Sequence, residues 1–181
     1  MRLRRAPRAD ALPLPIGGAF PGRRRLPVIR RAGGVSTRGE RDKFLGQLPK
    51  GWPYGVEMRN RNWLRPDYFD CLARHQVTHV YNSWEAMPPV GEQMALTGSQ
   101  THPTLVAARF LLKPGRRYED AVKTFQPYDK TKEVNDEARK AGAALIADGV
   151  KAKGRKTFIY VNNRLEGNAL STIEAMVEQA T

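Results

Sequence analysis

From residue 41 onward, short apolar runs alternate with stretches whose apolar residues recur at helical spacing. Arg41 to Leu48 is helical and stops before Pro49, and Lys50, Gly51 and Pro53 mark a turn. Tyr54 to Arg59 reads as a strand. Pro66 sits at a position tolerated at a helix start, and Tyr68, Phe69, Leu72 and Ala73 follow at helical spacing. Val77 to Asn82 is a second strand, followed by a Pro-Pro loop and a short helix near Glu92 to Leu96. Leu105 to Leu111 is a third strand. Two helical patterns come next, Tyr118 to Phe125 and Asp136 to Lys151, the longer one capped by Asn135 and closed beyond its end by Gly154. Thr157 to Asn162 is a fourth strand, and a last helix opens near Asn168 with Ala169, Leu170, Ile173, Val177 and Ala180 on one face. Strands alternating with helices imply parallel pairing through right-handed crossovers, hence an α/β sheet or barrel.

Polar residues gather where these strands end. In the first, side-chain alternation sends Val56 and Met58 one way and Glu57 and Arg59 the other. In a barrel the apolar pair would face the helices and the charged pair the interior, where each charge needs a partner. The other strands end in Asn82 and Ser83, in Arg109, and in Asn162 and Asn163. That convergence predicts a polar site at the carboxyl edge of the sheet, where α/β proteins bind ligands.

The first forty residues break the pattern. They hold ten Arg, no Lys, five Pro and six Gly, with Asp10 and Glu40 as the acids, so +8 of the chain's +13 resides there. No helical or strand period is sustained, and residues 1–40 read as a disordered extension preceding an α/β domain over 41–181. The one apolar stretch, Ala11 to Phe20, is interrupted by Pro13, Pro15 and a Gly pair, and makes a poor secretory signal. Clustered Arg suits a nucleic-acid or anionic-surface arm, but a merely solvated, poorly constrained extension is the stronger reading. No run of about 18 apolar residues exists, so no membrane-spanning helix is expected and the chain is placed in the cytoplasm. The single cysteine, Cys71, excludes an intrachain disulfide and a zinc site built on several thiolates, and reads as inert core on an apolar helix face.

Two segments carry a family resemblance. Glu57-Met58-Arg59-Asn60-Arg61-Asn62-Trp63 resembles the E-x-R-x-x-S-W segment of the DUF72 (YecE-like) family, with Asn62 for the usual Ser. Val161-Asn162-Asn163-Arg164-Leu165-Glu166-Gly167-Asn168-Ala169 resembles its F-N-N-x-x-x-G-N-A segment, with Val161 for Phe. Arg109 matches the Arg of the family's R-L-H-G strand end, but Leu111 and Leu112 stand where His and Gly are common, so no role for that His carries over. The resemblance covers residues 41–180 and implies a TIM-like (β/α)8 barrel of unsettled biochemical function. These motifs match its last four β/α units, so the expected architecture is a partial barrel, with an open strand edge through which two copies could self-associate.

Several functional readings stand together. Glu57 and Arg59 could form an active-site core, Glu57 as general acid/base or metal ligand and Arg59 as anion clamp, or a structural ion pair filling the interior; the family motif favours a ligand site. Asn82, Arg109, Asn162 and Asn163 are candidate ligand-binding residues for a phosphate, carboxylate or sugar phosphate, helped by the helix amino terminus that follows Gly167. Alternatively, Asn163, Gly167 and Asn168 only shape a turn and cap a helix. Trp63 and Trp84 follow strand ends and could stack on a sugar or base, or simply cover the barrel mouth. His75, His79 and His102 show no ligand spacing among themselves, and no metal site, nucleophile elbow, P-loop or dinucleotide turn is visible, leaving the cofactor unknown. The competing functions are an enzyme or its relic acting on a small anionic ligand, a nucleic-acid binder using the Arg-rich head, and a nonfunctional fragment.

Overall fold

The computed structural model describes residues 28–31 and 38–181, with side chains from residue 39 onward. The order is β1 (Val28–Arg31), α1 (Arg38–Gly46), β2 (Gly55–Met58), α2 (Pro66–Arg74), β3 (Thr78–Asn82), α3 (Val90–Ala95), β4 (Leu105–Phe110), α4 (Tyr118–Phe125), α5 (Asp136–Lys151), β5 (Lys156–Val161) and α6 (Ala169–Ala180). The strands form one sheet in chain order, every neighbouring pair parallel. The four expected strands are present, each within a residue or two of its predicted bounds.

A fifth strand corrects the reading of the first forty residues. Val28–Arg31 pairs parallel along β2, Arg30 opposite Glu57, and α1 already begins at Arg38. Four residues flanked by Pro27 and a Gly-rich stretch are too few to display a period, so only their pairing reveals them. The remainder of that basic extension, residues 1–27 and 32–37, lies outside the described residues.

Local chemistry accounts for the helices. Pro66 opens α2 and Asp67 lies in its first turn, while Tyr68, Phe69, Cys71 and Leu72 are buried. Asn135 caps α5 by accepting from the Ala138 amide at 3.1 Å, and Asn168 caps α6 by accepting from Leu170 and Ser171 at 3.0 and 3.1 Å.

Alternation along the strands then sorts two faces. On one, Val56 and Met58 pack with Tyr68, Phe69, Cys71 and Leu72 of α2. Further along that same face Tyr81, Val106, Ala108 and Phe110 meet Ala138, Ala141 and Leu145 of α5 and Met176 of α6. Small residues let these helices approach closely: a Cβ on Gly142 would lie 2.4 Å from the Met176 sulfur. The other face carries a smaller apolar layer, Val80, Leu105 and Ala107 with Phe158, and beyond it the polar strand ends. Among the described residues no helix is long and apolar enough to cross a membrane.

Candidate functional site

Glu57 is the centre of the polar rim. Its carboxylate is fully buried and accepts from Arg59 Nε at 2.8 Å through Oε1 and from Arg109 through Oε2. The residues come from β2, its immediate extension and β4, so strand geometry sets the convergence. Glu57 and Arg59 share a face because they are two residues apart, and Arg109 reaches the same face from two strands over. Burying a carboxylate is costly unless donors replace its water, and here two guanidinium groups do so. Among these three side chains one positive charge is left over.

Arg59 is also held from the other side. Its guanidinium carbon lies 4.0 Å from the Trp84 ring centroid, a cation–π stack, and Trp84 packs onto the Leu111, Leu112, Ala121 and Phe125 cluster. Three-quarters of the Arg59 side chain is nevertheless shielded, and 14% of the Arg109 side chain is exposed. Both groups thus reach the surface while remaining fixed at Glu57.

Asn82 lies beside Arg109 in the β3–β4 register. Its Nδ2 donates to the Met58 carbonyl at 2.8 Å, and its backbone is gripped by Gln93, which accepts from the Asn82 amide at 3.2 Å and donates to its carbonyl at 2.6 Å. The buried Asn82 Oδ1 has no hydrogen-bond partner, an arrangement that is costly in a protein interior unless something fills it.

Asn162 and Asn163 follow directly on β5, the strand beside β4. Asn162 Oδ1 accepts from the Arg164 amide at 2.9 Å and Asn163 Oδ1 from the Ala169 amide at 2.8 Å. Their side-chain carbonyls therefore hold the loop between β5 and α6. The same loop contains a residue that sequence reasoning passed over. Glu166 is fully buried and accepts from the Asn135 amide at 2.6 Å, from Arg139 Nε and NH2 at 2.9 Å each, and from Thr172 Oγ1 at 2.7 Å. It ties the loop to the starts of α5 and α6. Gly167 follows with φ +115°, and a Cβ there would lie 2.4 Å from the Lys130 carbonyl oxygen. The conspicuous signal in this segment was its asparagines, whereas the acid between them carries the packing.

The remaining candidates have structural partners. His79 is buried between Tyr68, Phe69 and Tyr81, its Nδ1 is 3.1 Å from the Tyr68 hydroxyl, and burial pushes its pKa down to about 3. His102 Nδ1 accepts from the Thr104 amide at 3.2 Å. Trp63 lies under the Arg41 guanidinium. A cleft of about 540 Å³ opens at the amino ends of the strands, lined in part by Trp52, Arg74, His102 and Lys156, at the end of the sheet away from Glu57.

Comparison with known proteins gives this architecture relatives. The family model described as "Protein of unknown function DUF72" matches residues 36–181. No curated protein matches the chain. Among solved structures, a DUF72 family protein of Enterococcus faecalis superposes with a TM-score of 0.58 at 16% identity, covering 84% of this chain and 57% of that one. A second structure of the Enterococcus protein gives 0.55 with 83% and 59% covered, again at 16% identity. A DUF72 family protein of Thermotoga maritima gives 0.50 at 15% identity, with 85% and 58% covered. The chain therefore spans less than two thirds of the length of these relatives, and at such identities the likeness concerns the fold.

Proposed function

This chain belongs to the DUF72 family, whose description names no activity, and from that premise we propose that the rim around Glu57 binds a small ligand bearing a phosphate or carboxylate beside hydroxyl groups, as a sugar phosphate does. The observation that carries this reading is the seating of two arginines, Arg59 and Arg109, on one buried carboxylate. Each guanidinium has five N–H donors in a planar fork. Glu57 takes the Nε of one and an NH1 of the other, which leaves outward donors suited to a second, exogenous anion.

In this reading Glu57 is a positioning residue. With each oxygen already accepting from a guanidinium, it orients the clamp rather than shuttling protons. Asn82 adds selectivity once binding uncovers it, because its buried, unpartnered Oδ1 beside Arg109 would then accept from a ligand hydroxyl. Asn162 and Asn163 act through the loop they shape. No reaction is assigned to the site.

The test is a titration of the full chain with inorganic phosphate and a hexose phosphate, followed by calorimetry and by tryptophan fluorescence, since Trp84 lies beneath Arg59. Arg59→Gln should weaken binding at least tenfold, about 1.4 kcal/mol. Equal binding by the variant, or none by the parent chain, rejects the anion site. Binding confined to an oligonucleotide, falling steeply with salt and lost when residues 1–40 are removed, would instead assign function to the Arg-rich head.

A further inference from the structure

Away from the rim, Asp42 of α1 and Cys71 and His75 of α2 and its carboxyl cap bring three different donor types together. Cys71 and His75 are four residues apart and so share one helix face, which α1 covers with Asp42. His75 Nε2 is 2.7 Å from Asp42 Oδ1 and Cys71 Sγ is 3.7 Å from the same oxygen. All three donor atoms lie within 4.8 Å of one another. We propose that Asp42, Cys71 and His75 form a binding site for one divalent transition-metal ion of the zinc type.

The geometry is close to what such an ion requires. Bond lengths of about 2.0–2.3 Å to oxygen, nitrogen and sulfur put tetrahedral donors about 3.4–3.6 Å apart. The Cys71–Asp42 separation of 3.7 Å is close to that spacing, and the His75–Asp42 pair at 2.7 Å must open by about 0.7–0.9 Å. Cys71 is buried while the side chains of Asp42 and His75 are 36% and 21% exposed, so an ion would sit above the sulfur with its fourth position towards solvent.

Charge also closes. Binding releases the thiol proton to solvent, and the thiolate and the Asp42 carboxylate then balance the dication beside a neutral imidazole. Arg74 NH2, 3.2 Å from Asp42 Oδ1, is the competitor; its side chain is about half exposed and can swing into water. A thiolate with an imidazole selects zinc-like ions over magnesium or calcium. The ion would clasp α1 to α2, helices otherwise joined by the Arg41–Asp67 pair at 2.5 Å and by apolar packing. Sequence alone hides this set, because Asp42 lies 29 residues before the only cysteine.

Cobalt(II) titrated into the full chain tests the proposal. It should give a thiolate-to-cobalt charge-transfer band that saturates at one ion per chain and is displaced by zinc. Asp42→Asn and His75→Gln should each weaken that binding tenfold or more, and Cys71→Ser should abolish the band while circular dichroism stays unchanged. A parent chain that gives no thiolate band overturns the site, as does cobalt affinity unaltered in both Asp42→Asn and His75→Gln; those two variants keep the test decisive if Cys71→Ser misfolds.

Discussion

Replacing Glu166 by Gln keeps the shape of the side chain and removes its charge, which makes it a sharp probe of the loop between β5 and α6. In the parent, Oε1 accepts from the Asn135 amide and Arg139 Nε, and Oε2 from Arg139 NH2 and Thr172 Oγ1. Glutamine offers one oxygen and one NH2 in their place. With the oxygen towards Asn135 and Arg139 Nε, the new NH2 can donate to the Thr172 hydroxyl but must face the Arg139 guanidinium. Arg139 is only 16% exposed, so it would be left as a largely buried and underpaired cation. Breaking a buried pair on one side costs about 3–5 kcal/mol. Retention of the Asn135 and Thr172 bonds sets the expectation at the lower end, about 3 kcal/mol. At roughly 2–4 °C per kcal/mol for a chain of this size, the melting temperature should fall by about 6–12 °C. Urea unfolding of Glu166→Gln, Arg139→Gln and the double variant would measure both the loss and its coupling. A loss under about 1 kcal/mol, or a double variant whose loss is the sum of the singles within about 0.5 kcal/mol, would refute the account of Glu166 as the fastener of this loop.

Further expectations come from other parts of the fold. His79 is held neutral by burial, its pKa depressed from 6.5 to about 3, so protons bind the unfolded chain preferentially between those values. Its contribution to stability is present in full only well above pH 6.5 and is lost as the pH falls, by about 1.7 kcal/mol between pH 6.5 and 5; urea unfolding of His79→Phe should lack that slope, and an unchanged slope would contradict the assignment. Gly167→Ala places a Cβ against the Lys130 carbonyl at a φ that disfavours side chains, and should cost at least about 2 kcal/mol in the same assay. Asn168→Ala removes the acceptor for the Leu170 and Ser171 amides and should cost about 1 kcal/mol, whereas a neutral effect would mean that α6 is held by packing alone.

The parts of this molecule that announce themselves in the sequence are those governed by local rules. Pro66, Asn135 and Asn168 mark helix starts that capping chemistry explains. The alternation of Val56, Glu57, Met58 and Arg59 foretells which side chains face the helices and which the rim, and Arg109 joins Glu57 as the parallel order requires. What stayed hidden depends on partners distant in sequence. Glu166 is one acid within a polar loop until Asn135, Arg139 and Thr172 surround it. Val28–Arg31 is too short to show a period and becomes a strand only along β2. Asn162 and Asn163 carry groups able to bind either ligand or backbone, and only their bonds to the Arg164 and Ala169 amides decide that their side-chain carbonyls serve the turn.

Diffraction from crystals soaked in phosphate is the most direct measurement of the rim. An anion should appear bonded to the guanidinium groups of both Arg59 and Arg109, near Asn82, with Glu57 still bridging the two arginines from beneath. A rim empty of anion at saturating phosphate, or arginines turned away from Glu57, would contradict the account.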